Sequence, residues 1–131
     1  MPASFALLAV SRLSPDTPIS AVSAVFARAR QQASTHGVTG LMVFDGAGFS
    51  HYLEGEHRSV LACIDHLQSD LRMDMLEVVQ HGRCEERRYQ DFLSGYASGD
   101  GAPASEELRA LDGDAALQAF LARAEGFDLE R

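Results

Sequence analysis

The stretch that most limits the fold is SFALLAVS, residues 4 to 11, which is apolar at both parities. Phe5, Leu7 and Ala9 point one way, and Ala6, Leu8 and Val10 point the other. A strand of this kind is central and needs cover on both faces, so the rest of the chain has to supply two layers. The first comes soon after. The segment SPDTP breaks the strand and offers Asp16 or Thr17 as a helix N-cap, with Pro18 in the first turn. Ile19, Val22, Val25, Phe26 and Ala29 then recur at helical spacing until Gly37 supplies a stop after His36.

TGLMVFDGAGFSHYLEG reads as a hairpin whose two apolar runs flank Asp45-Gly46-Ala47-Gly48. In its second strand Phe49, His51 and Leu53 share one face, while Ser50, Tyr52 and Glu54 share the other. A second helix carries Val60, Leu61, Ile64, Leu67 and Leu71 on one stripe. MLEVVQHGR is a fourth strand, and FLSGYA a short fifth after the polar CEERRYQ. The order β-α-β-β-α-β-β, with two helices on one face of a mixed sheet, defines an α+β, ferredoxin-like plan. The opposite sheet face, assigned Leu8, Val10, Met42 and Phe44, also needs cover. Leu108, Leu111, Leu117, Phe120 and Leu121 mark one or two amphipathic C-terminal helices that can provide it. The expected division is a domain over residues 1–97, then residues 98–131 as a linker (SGDGAPAS, 98–105) and a helical extension packing on the sheet.

Composition narrows the function classes. At 131 residues, 46% hydrophobic and 23% charged, the chain has the make-up of one soluble domain. Eleven Lys and Arg against nineteen Asp and Glu give a net charge of −8, which disfavours nucleic acid and anionic membranes as partners. MPASFALLAVSRL is neither a signal peptide nor a membrane span. Cys63 and Cys84 lie in separate elements without metal spacing and read as buried, reduced thiols of a cytoplasmic protein. His36, His57, His66 and His81 fall on separate elements, so no metal site is expected. No nucleophile elbow and no phosphate loop followed by lysine is present, and the chain is not read as an enzyme.

An ordered set of short marks resembles the BLUF domain, the flavin-binding blue-light sensor module. The marks are the apolar first strand ending in Ser11, then Ala29-Arg30, Val38-Thr39-Gly40, Leu53-Glu54-Gly55, Asp70 with Arg72, and Arg87-Arg88-Tyr89, spanning roughly residues 4 to 97. The resemblance implies a slot between the two helices that holds the isoalloxazine ring of FAD against the sheet. It implies a tyrosine on strand one, an asparagine late in helix one and a glutamine on strand three, all hydrogen-bonded to the flavin. Light then drives electron and proton transfer from the tyrosine.

At those three positions stand Ala9, Ala33 and His51. Met73 replaces the usual histidine after Asp70-x-Arg72, and Phe92 falls near a frequent tryptophan. Alanine donates neither electron nor proton, and each polar flavin atom buried without a partner costs about 1–3 kcal/mol. Arg30, His51, Asp70 and Arg72 are the cofactor-site residues that the resemblance carries over. Read from the residues alone, Arg30, Asp70 and Arg72 are solvated helix ends, and His51 is a core imidazole.

The expectation is a stand-alone, degenerate BLUF-family regulatory domain in the cytoplasm. It acts through a protein partner and lacks the normal photocycle and cofactor. Its apolar sheet face or terminal helices provide a surface for homo-oligomers. The alternative is a sensor that still binds FAD, haem or another flat ligand in the same slot, with His51 taking over part of the glutamine's role. A small enzyme using His51 as general base is a third reading.

Overall fold

The computed structural model describes residues 4–97, 104–124 and 126–130. The first strand, β1 (Ser4–Leu13), is an interior strand of the sheet, paired on both sides. A single 3-10 turn over Ile19–Ala21 leads into α1 (Val22–His36). Neither Asp16 nor Thr17 caps it, because Pro18 holds the N-cap position in extended backbone with no side-chain cap bond. The turn also leaves Ile19 exposed rather than on the buried stripe of Val22, Val25, Phe26, Ala29 and Ala33. Gly37, at φ 67, closes α1 in the left-handed conformation.

Next come β2 (Thr39–Phe44), β3 (Gly48–Gly55), α2 (His57–Gln68), β4 (Met73–Cys84) and β5 (Phe92–Tyr96). The sheet runs β4-β1-β3-β2-β5-β6, antiparallel except for the parallel β2–β5 pair, which gives the expected mixed α+β layout. The last strand is the short β6 (Asp128–Glu130), which the sequence pattern did not suggest. Gly95 admits it: a Cβ at that position would lie 1.7 Å from the Asp128 carbonyl oxygen. Gly40, at φ 145, similarly allows β2 to pass beneath the Tyr52 carbonyl.

Register decides which layer each side chain enters. Ala9 pairs with His51 and His51 with Met42, so these three face α1 and α2. Leu8, Tyr52 and Leu41 form the adjacent row on the other face. Met42 and Phe44 therefore pack with Val22, Val25 and Phe26 of α1, and the sequence-based assignment to the second face is corrected to Leu41 and Val43. The second stripe also shortens. Because α2 ends at Gln68, Leu71 lies outside it and is exposed, and Leu61 is exposed too.

The second face is covered by α3 (Ala104–Arg109) and α4 (Gly113–Ala124), whose Leu108, Ala116 and Phe120 join Leu8, Val10, Leu41 and Tyr52 in one buried cluster. Of the stretch read as linker, residues 98–103 lie outside the described residues, whereas Ala104 and Ser105 begin α3. Asp45 fixes where α3 starts. One carboxylate oxygen accepts the main-chain N–H of Ala47 and Gly48 in the hairpin turn, and the other accepts that of Ser105 at 2.7 Å.

Candidate functional site

Between α1, α2 and the sheet lies the slot. Ala29, Gln32 and Ala33 of α1, Cys63 and Leu67 of α2, and Met42, His51, Leu53 and Phe92 of the sheet line it. These residues meet there because α1 presents small side chains every turn on its sheet-facing stripe, so helix and strands approach closely. The space left is about 10 Å³, roughly what one water needs, whereas ligand pockets usually run to about 300–1,000 Å³. Ala9 is fully buried and Ala33 nearly so.

His51 is 1% exposed. Its Nε2 lies 2.9 Å from Ser11 Oγ, and that hydroxyl donates to Met73 Sδ at 3.6 Å. Ser11 and His51 are hydrogen-bonded through Nε2, and which of the two donates depends on the ring's tautomer. Burial pushes its pKa down to about 3, because a charged imidazole finds no water there. Burial likewise raises the Cys63 thiol to about 11. The slot is thus apolar, uncharged and nearly full. Ser11 is the hydroxyl beside His51, both are buried, and among the described residues no carboxylate is hydrogen-bonded to the ring.

The other residues singled out by sequence lie outside the slot lining. Asp70 is buried at the end of α2, where Arg72 donates from Nε and Nη2 to its two oxygens at 2.9 and 2.8 Å, and Arg28 Nη1 lies 3.8 Å away. The Arg72 hydrogen bond, more than any other cause, holds the Asp70 carboxyl below its ordinary range. Asp70 is therefore no solvated helix end; it fastens the α2–β4 connection. Arg30, one position past Ala29, turns away from the slot and donates from Nη2 to Ser94 Oγ at 2.6 Å.

The largest polar arrangement lies on the opposite face, and sequence reasoning missed it. Glu54 is fully buried and accepts from Tyr52 OH, from the main-chain N–H of Arg88 and Tyr89, and from the Cys84 thiol. Arg88 Nη1 donates to the same Tyr52 hydroxyl at 3.0 Å. Burial first, then the Glu54 charge, raises the Tyr52 pKa. The signals in the sequence were that Glu54 shares a strand face with Tyr52 and that Leu53-Glu54-Gly55 and Arg87-Arg88-Tyr89 stood among the marks of the resemblance. Gln32 was missed as well; it is an amide at the slot, one residue before the position where the family's asparagine was sought.

This architecture, a mixed sheet with paired helices forming an inter-helix slot, is an α+β, ferredoxin-like fold. Residues 5–95 match the BLUF family, sensors of blue-light using FAD, and the chain belongs to that family. Among solved structures it resembles "BlrP1 BLUF", with 25% identity, 96% of this chain and 79% of that chain covered, and a TM-score of 0.63. The Klebsiella pneumoniae BlrP1 calcium/cyclic-diGMP complex is 26% identical over 92% of this chain, TM-score 0.62, and this chain spans 28% of its length. The dark-state structure of the BLUF protein BlrB shares the fold at 21% identity, with 84% of this chain and 79% of that chain covered and a TM-score of 0.65. No curated protein matches the chain.

The slot as folded does not fit the family's flavin. Its volume holds a water rather than a tricyclic ring. Ala9 and Ala33 carry no hydrogen-bonding group, and the Nε2 of His51 is already taken by Ser11. Among the described residues no helix is long and apolar enough to cross a membrane, and no group of three or more potential ligands could hold a metal ion.

Proposed function

We propose that this chain is a BLUF-family regulatory domain that does not run a blue-light photocycle and that works in the cytoplasm through a protein partner. The observation carrying this reading is the closed slot: about 10 Å³, with alanine at the donor position and a neutral His51 tied to Ser11. A retained scaffold around a slot without its photochemical donor keeps the family's shape while losing the light-driven step. The apolar layer under α3 and α4 supports output through the C-terminal side, because those helices share a core with Tyr52 of the same strand that carries His51. The test is an absorption spectrum of the purified protein together with titration by FAD and FMN. Colourless protein that takes up neither flavin is the expected result; yellow protein whose band shifts red reversibly under blue light overturns the proposal.

One observation favours a second reading, in which a flat ligand still enters. Gln32 retains an amide at the slot, and with His51 it could meet a ring's polar edge if α1 moved outward. Saturable binding of FAD or haem, abolished by Gln32→Ala, would select this reading.

A further inference from the structure

A second hollow, separate from the slot, lies between α1 and the β5–β6 edge, with a volume of about 240 Å³. Its walls are Phe26 and Arg30 from α1, Ser94 and Tyr96 from β5, and Asp128 and Glu130 from β6. Period-two alternation puts both acidic residues on this side, since Leu129 between them packs into the opposite core. Register then sets Glu130 beside Ser94 and Asp128 beside Tyr96.

The charges here are held apart. Arg30 is anchored through Nη2 to Ser94, yet its Nε is buried and meets no acceptor. Among the described residues, neither Arg30 nor Asp128 nor Glu130 takes part in an ion pair. A buried donor without an acceptor is a deficit that an incoming anion removes. Phe26 and Tyr96, in edge contact at 5.6 Å, add an aromatic surface.

We propose that this hollow binds a small zwitterion of the α-amino-acid class. The ligand's carboxylate lies against the Arg30 guanidinium, where planar two-point pairing is favourable once the side chain turns toward the hollow. Its ammonium lies between Asp128 and Glu130, and its side chain rests on Phe26 and Tyr96. The volume falls below the range of drug-sized sites, about 300–1,000 Å³, which suits a ligand of this size. None of these groups lines the slot, and Arg30 is the one among them that the resemblance also assigns to the cofactor site.

The experiment is calorimetric titration of the whole chain with glycine, L-alanine, L-leucine and L-phenylalanine, alongside 3-phenylpropionate and phenethylamine. L-Phenylalanine is expected to bind, with each single-charge analogue at least about tenfold weaker. Arg30→Gln and the Asp128→Asn/Glu130→Gln double variant should each weaken L-phenylalanine at least about tenfold, with circular dichroism unchanged. The proposal is overturned if none of the four amino acids binds, if either analogue binds as tightly as L-phenylalanine, or if both variants bind it like the parent chain.

Discussion

His51 and Tyr52 are neighbours in β3 and face opposite layers. On the α1–α2 side, His51 keeps one hydroxyl partner and stays neutral among alanines, leucines and methionines. On the α3–α4 side, Tyr52 and Glu54 sit in a network whose donors come from β3, β4 and the β4–β5 connection. Both environments are buried, yet one has shed polar groups and the other has gathered them. A buried polar group is tolerable either when removed or when fully satisfied; β3 carries both solutions one residue apart.

The largest expected effect is on the gathered side. Glu54→Ala leaves two main-chain N–H groups and the Tyr52 hydroxyl without their acceptor, and should cost about 3–5 kcal/mol in denaturant unfolding. A loss below the effect of an ordinary surface substitution would break the contrast between the faces. His51 gives the next effect, through pH. Its folded pKa of about 3 lies below the unfolded value of 6.5, so the unfolded chain takes up a proton that the folded chain refuses. Its contribution is complete above pH 6.5 and is lost as pH falls toward 3. Between pH 7.5 and 5 that amounts to about 2 kcal/mol, to be read as the difference in pH dependence between the parent and His51→Leu.

The smallest effect tests how full the slot is. Ala33→Val adds two methyl groups where about 10 Å³ remains, and overpacking should cost about 1 kcal/mol. A gain in melting temperature instead would reveal unfilled space beside α1.

Much of this arrangement was legible beforehand. The two-sided apolar character of residues 4 to 11 required both helical layers, and strict alternation in GFSHYLEG correctly separated His51 from Tyr52. GLMVF, by contrast, is apolar at both parities, so nothing within it says which way Met42 points; only its pairing with His51 does. Leu71 continued a helical stripe in sequence, but the chain leaves the helix after Gln68 and returns through the Asp70–Arg72 pair. Glu54 gave little local sign of its role, because three of the residues that donate to it, Cys84, Arg88 and Tyr89, lie thirty or more residues away. Such long-range satisfaction leaves no local pattern. In the slot Ala9, Ala33 and His51 were visible in the sequence, while the small space left between the walls is a property of packing that no single residue announces.

Asp45 carries one more lesson. Its two oxygens serve different parts of the chain, one the hairpin tip and the other the first turn of α3. Tip and covering helix are in effect bolted through a single side chain. Whatever docks on that helix therefore also grips the far end of the β2–β3 ribbon, whose other end runs past His51.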